Sequence, residues 1–220
     1  MQGSNDSYTQ LLTWVKHNDT STDEAYAYIS SCIDVDNYIA YMSIQIFTGN
    51  TDTMNVKRYR NANEDGLWRW CLFDLDWAFN TDTNSIARWL NPGGMGAGGK
   101  TDNTLFIACM KDPRFRDEFL TYFGQQLSTT FSSASIYDRV MERHAVLEPE
   151  LPLHCYHWSD VYSVNTYTRE VKEFLAYGVA RPAKLLEYFQ MALDLTDEEM
   201  QRYFGDAIRA IEEYEISSAQ

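Results

Sequence analysis

The chain has 220 residues, enough for one substantial core, with 45% apolar and 15% aromatic residues that exclude a disordered chain. Its net charge of −14 excludes a nucleic-acid backbone or an anionic membrane surface as partner, because no basic patch is available to neutralise phosphate. No apolar run approaches the roughly 20 residues of a membrane span, so membrane insertion is not expected.

Helical spacing dominates in chain order. "MQGSNDSYTQ" lacks the apolar run of a signal peptide. Residues 1–32 read as helices. Ser21 and Glu24 form a capping box over Ala25, Tyr28, Ile29 and Cys32. Asp34 N-caps the next helix, which turns Val35, Tyr38, Ile39, Met42 and Ile46 inward and stops at Gly49. The period then changes. "MNVKRYR" (54–60), the turn "NANEDG" and "LWRWCLFD" (67–74) read as a β-hairpin.

Residues 80–103 read as a long loop. Asp112-Pro113 starts a helix bearing Phe115, Phe119, Tyr122 and Phe123. A helix over 132–147 follows, then a loop, "LEPELPLHCYHW". Two further helices are expected: 166–177, ending at Gly178, and 182–193, opening at Pro182. Thr196 and Glu199 cap the last helix, with Leu195 stapled to Met200. The tail beyond Glu215 should fray. The pattern gives a mainly α chain with one small β-hairpin (α+β), read as one domain over 1–215. The hairpin region covers about 49–79, a glycine-rich loop 80–102 and a helical remainder 103–215.

The chemistry concentrates at the hairpin. "GNTDTMN" (49–55) leads in with Asn50, Asp52 and Asn55, and "FDLD" leads out with Asp74 and Asp76. The open ends of a hairpin meet, so Asp52, Asn55 and Asp74 should converge. Carboxylates among so many aromatics call for a cation, because an unpaired charge is costly to bury. The competing reading of Asp74 and Asp76 is a solvent-facing turn. That of Asp52 and Asn55 is the loop after a helix C-cap, where such residues are common.

An Asp, an Asn, a hairpin and an Asp ahead of a Phe is the layout of a protein-kinase active site. Here the chain resembles the CotH family, the spore-coat-protein-H-like atypical protein kinases. "IDVDNYIAYMSIQIFTGNTDTMNVKRYRN" and "GLWRWCLFDLDWAF" carry the resemblance, with "KDPRFRDEFLTYF" and "ARPAKLLEYF" as its later helices, over about residues 33–190. It implies a protein-kinase-like C-lobe. Asp52 would match the catalytic base, and Asn55 and Asp74 the ligands of Mg²⁺ (or Mn²⁺) on ATP. Asp76 would be a weaker metal candidate, and Phe79 the packing residue behind Asp74.

The family's pattern differs at Leu72-Phe73, commonly Pro-Trp, and at Asn80, usually Gly. The spacing between Asp52 and Asn55 is also short. The implied reaction moves the ATP γ-phosphate to Ser or Thr of a bacterial coat or cell-surface protein, outside the cell. No lysine-bearing N-lobe is seen, so the chain reads as a C-terminal fragment that binds ATP weakly and transfers no phosphate by itself. The alternative is a non-catalytic structural or interaction module of such a coat or surface protein, binding through its aromatic surface.

Three other features point elsewhere more weakly. "GMGAGGKT" (94–101) fits the phosphate-binding P-loop pattern, but no strand directly precedes it, and a flexible loop is the better reading. His154, Cys155 and His157 lack a fourth partner for zinc and read as a polar loop. Trp68, Trp70, Trp77 and Trp89 read as core rather than a carbohydrate-stacking surface. The four cysteines form no CxxC pair and read as free, mostly buried thiols.

Overall fold

The computed structural model describes residues 4–79, 84–93, 95–96, 99–100, 102–158 and 163–218. Among them the chain is mainly helical, with a short antiparallel hairpin as its principal β structure. No helix among them is long and apolar enough to cross a membrane. Where the sequence reads as one domain over 1–215, the contacts of the chain gather into two compact units. One holds the chain up to Ala78 and from residue 84 to Phe123. The other holds Phe79 and the chain from Gly124 onward.

The first unit begins with α1 (Asp6–His17), α2 (Asp23–Cys32) and α3 (Val35–Thr48). The cap of α2 is Thr22, whose hydroxyl accepts the Ala25 N–H, and not Ser21. Ser21 is instead turned onto Asp19, donating its hydroxyl at 2.7 Å. α3 follows the expectation. Asp34 accepts the Asn37 N–H, and Gly49 ends the helix at φ 60°, a left-handed position that a Cβ would strain.

β1 (Lys57–Arg60) pairs with β2 (Trp68–Cys71), Lys57 opposite Cys71 and Arg60 opposite Trp68. The ladder is shorter than its two sequence arms. α3 anchors β2: the Asn37 side chain accepts the Trp70 N–H at 2.7 Å and donates to the Trp70 carbonyl at 3.3 Å. Arg69 donates to Asp34 at 2.7 Å and forks onto Asp65. Trp70 is buried against Tyr38, their ring centres 4.2 Å apart.

The stretch expected as a loop holds secondary structure. α4 (Ser85–Leu90) has Asn84 as its cap, and two-residue strands β3 (Met95–Gly96) and β4 (Gly99–Lys100) pair antiparallel. α5 (Thr104–Lys111) was not read from the sequence; its eight residues are too few to show a clear period. α6 (Pro113–Ser128) starts as expected, Asp112 accepting the N–H groups of Arg114 and Phe115. Phe106, Phe115, Phe119 and Phe123 form a continuous aromatic core in this unit.

In the second unit the helix expected over 132–147 is α7 (Ser133–Leu147), with Ser132 as its cap. The loop expected over 147–158 is helical instead: a 3₁₀ turn (Glu148–Glu150) runs into α8 (Leu151–His157). Pro149 and Pro152 sit near the starts of those two elements, where the missing N–H costs nothing. The two helices expected over 166–177 and 182–193 are one, α9 (Val164–Leu193), continuous through Gly178 and Pro182. Gly178 is a packing glycine. A Cβ there would lie 2.7 Å from Ile136 Cγ2 of α7. α10 (Asp197–Ser218) has the expected capping box. Thr196 Oγ1 accepts the Glu199 N–H while Glu199 accepts the Thr196 N–H at 2.9 Å, and Leu195 and Met200 are both buried. The helix continues past Glu215, where fraying was expected.

All four cysteines are free. Only Cys109 is buried, fewer than the sequence suggested, and burial pushes its thiol well up from the ordinary value.

Candidate functional site

Beyond the last rungs of the hairpin the two arms stay together. Asn55 Nδ2 donates to Asp74 Oδ2 at 2.7 Å, which is the convergence expected of the open ends. A second tie lies farther out. The Thr51 N–H and hydroxyl both donate to the Trp77 carbonyl, at 3.3 and 3.2 Å. Residues 51–55 and 74–77 therefore form one cross-linked patch at the mouth of the hairpin.

Buried amides support the first arm. Asn50 donates to Gln45 of α3 at 3.0 Å and accepts the Asp52 N–H at 3.0 Å. The Asn50 carbonyl takes a guanidinium N–H of Arg88, from α4, at 2.6 Å. Asn50 is 1% exposed, so the backbone at Asp52 rests on a buried hydrogen-bonded network.

Asp74 has φ 57°, a left-handed conformation that Asp tolerates better than most residues. Its carboxyl is held above the usual carboxylate range. A hydrogen bond with Asp76 is the main cause, followed by the charge of Asp76, desolvation and the charge of Asp52; the Asn55 amide opposes them. Two carboxylates can share a hydrogen bond only through a proton, and like charges close together make that proton hard to lose. A divalent cation would relieve the same repulsion.

The donor set fits such an ion. Asp74 and Asp76 supply hard carboxylate oxygens, and Asn55, with Nδ2 turned to Asp74, leaves its Oδ1 as a third oxygen donor. Asp52 is present as a charge felt by Asp74 rather than as a bonded neighbour. Among the described residues no group of three His, Cys, Asp or Glu side chains is spaced to close around a metal.

Phe79 also has φ 57°, and its ring lies 4.6 Å from that of Phe174 and 5.5 Å from that of Tyr177. It packs in the second unit, against α9. Asn80 lies outside the described residues, as do Gly94, Ala97, Gly98 and Thr101 of the glycine-rich stretch. What is described of that stretch is the β3–β4 pair, and α5 opens only at Thr104. His154, Cys155 and His157 lie on α8, a helix and not a loop. Trp68, Trp70 and Trp89 are core residues as expected, whereas Trp77 is 51% exposed.

The sequence reading named Asn50 but gave it no role, and it passed over Asn37, Gln45 and Arg88. Asn37 and Arg88 act through contacts between elements distant in sequence, which leave no local signature.

Searches of curated proteins and of solved structures returned no match. A family comparison did. The CotH kinase protein family matches residues 1–185, beginning some thirty residues before the stretch on which the resemblance rests. The match takes in α1, α2 and the whole hairpin site, and with most of its length so covered this chain belongs to the CotH kinase protein family.

Proposed function

We propose that this chain carries the metal- and phosphate-handling part of a CotH-like protein kinase, one that moves the γ-phosphate of ATP to a Ser or Thr hydroxyl of a coat or surface protein outside the cell. The observation that carries the reading is the Asn55–Asp74 contact, with Asp76 near enough to hold the Asp74 carboxyl above its usual range and Asp52 adding its charge. Mg²⁺, when bound with ATP, would neutralise charge on the transferring phosphoryl group. Asn55 and Asp74 would hold it, with Asp76 as a helper. Asp52 would orient the acceptor hydroxyl and take its proton, with its backbone fixed by Asn50. The second unit, with α7, α9 and α10, would complete a kinase-like C-lobe.

The test is a thermal-shift titration of Mg²⁺ and ATP against wild type and Asp74→Asn. Asn keeps the left-handed backbone and the acceptor for Asn55. A metal-dependent rise in Tm confined to wild type supports the reading, and equal responses, or none, sink it.

A second reading is a non-catalytic interaction module. It is favoured by the lack, among the described residues, of three acidic or imidazole side chains spaced to close around a metal. Exposed Tyr156 and Trp158, on and just after α8, would then be contact residues. Absence of any metal and nucleotide response would favour it.

A further inference from the structure

Beside the site, within the first unit, lies a cavity of about 160 Å³. One wall is made by Thr53, Met54 and Val56, the residues between Asp52 and β1. Tyr8, Tyr38, Tyr41, Trp70 and Trp89 make an aromatic surround, and Arg58 and Asp102 are its charged members. The volume suits a single ring or one short side chain; an apolar cavity of similar size takes benzene.

Its polar atoms are unbalanced. The Arg58 guanidinium lies over the Tyr8 ring at 4.0 Å, and no hydrogen bond or ion pair engages it among the described residues. Arg58 is only half exposed, so bulk water does not fully replace a partner. Trp89 is 4% exposed, and its buried indole N–H has no acceptor among the described residues. Both are pure donors. A buried donor left unsatisfied is costly, so an acceptor that reached these two groups would be stabilised. Burial also pushes the Tyr8 and Tyr41 hydroxyls up to about 12, which keeps them protonated and able to donate. Asp102 is the one acidic lining residue. It is exposed, and it accepts the Thr104 N–H at 3.4 Å.

The local charge is also exceptional. In a chain of net charge −14, "KRYR" (57–60) places three cations in four residues. Lys57 lies over Phe73, and Arg60 donates to the Gly66 carbonyl and to Ser7, so Arg58 is the one lining the cavity.

We propose that this cavity is a carboxylate receptor that takes an acidic side chain of the protein substrate, close to the hydroxyl presented to Asp52. Arg58 grips the carboxylate with two parallel N–H donors, Trp89 adds a third, and the aromatic walls hold the methylenes. Asp52 and Thr53 are adjacent, and an extended chain spans about 3.5 Å per residue. The acidic residue therefore falls within a few positions of the acceptor. The substrate assignment rests on the kinase reading above; the carboxylate site does not.

The test separates the two. The Trp89 indole N–H resonance, identified by its loss in Trp89→Phe, is followed by NMR while benzoate is added to the full chain without ATP, with benzamide as the neutral isostere. A parallel arm uses a Ser peptide carrying Glu, and the same peptide carrying Gln. Saturable shifts with benzoate and the Glu peptide, roughly tenfold weaker with benzamide and the Gln peptide, support the proposal. Arg58→Lys should weaken benzoate severalfold through loss of the fork, and Asp102→Asn should strengthen it. Benzoate and benzamide shifting the resonance equally, or neither shifting it, overturns the carboxylate site in wild type, whatever the variants do. A response to benzoate but not to the Glu peptide overturns the substrate assignment. None of these readings depends on phosphate transfer.

Discussion

The side chain of Asn55 reaches 2.7 Å to Asp74 across the mouth of a hairpin whose nearest described rung joins Lys57 to Cys71. The contact closes the ladder with side chains where its backbone pairing has stopped. It also turns one oxygen of Asp74 toward an amide, while the neighbouring Asp76 carboxyl raises the hold of Asp74 on its proton.

That effect gives Asp74→Asn a sign. The folded carboxyl holds its proton more tightly than the unfolded one, because Asp76 and Asp52 disfavour its charge. This contribution to stability is therefore full at low pH and is lost as pH rises from the unfolded value through the raised folded one. Asp74→Asn removes the repulsion, so its Tm should exceed wild type at neutral pH and approach it in acid. Tm measured from pH 3 to 8 checks this, and a pH-independent difference contradicts it.

The anchor of β2 is Asn37. Asn37→Ala leaves the Trp70 N–H and carbonyl without their partners and should cost about 1–2 kcal/mol of stability in urea unfolding. The Asn55–Asp74 contact should loosen with it, read as a downfield-to-random shift of the Asn55 side-chain amide resonances.

Gly178 and Gly124 are spacers between helices of the second unit. Gly178→Ala drives a methyl into Ile136 and should cost about 1–3 kcal/mol, relieved in part by Ile136→Ala in the double mutant. Gly124→Ala, whose methyl meets the Tyr203 carbonyl oxygen, should be the more severe of the two, because backbone cannot step aside as a side chain can.

The four thiols should separate by burial. Cys32, Cys71 and Cys155 are partly exposed, while Cys109 is buried with its thiol held protonated. Under native conditions a thiol reagent should label the first three, and Cys109 only after unfolding. Mass spectrometry of labelled peptides gives the answer directly.

The sequence carried the hairpin and the meeting of its arms because both are local. Alternation, a turn and two arms of similar length bring Asn55 to Asp74 without tertiary knowledge. Caps were equally legible at Asp34, Asp112 and Thr196, where one side chain satisfies the helix's first N–H groups. The failures have a common cause. Gly178 and Pro182 punctuate sequence, yet α9 runs through both; at Gly178 the close approach of Ile136 favours a glycine in mid-helix despite its propensity. The segment 147–158 held two prolines and no clear period, and its helices begin at those prolines. Asn50, Gln45 and Arg88 were illegible as support for Asp52, since their contacts join α3, the site loop and α4 only in the folded chain.

The central claim is that Asn55, Asp74 and Asp76 together receive a divalent cation. Mn²⁺ titrated into the ¹⁵N-labelled chain with ATP tests it most directly, since the ion broadens resonances in order of proximity. The account predicts that the Asn55 side-chain amide and the backbone amides of Asp74 and Asp76 broaden first, and that Asp74→Asn abolishes the effect. First broadening elsewhere on this acidic chain, or an identical pattern in Asp74→Asn, would contradict it.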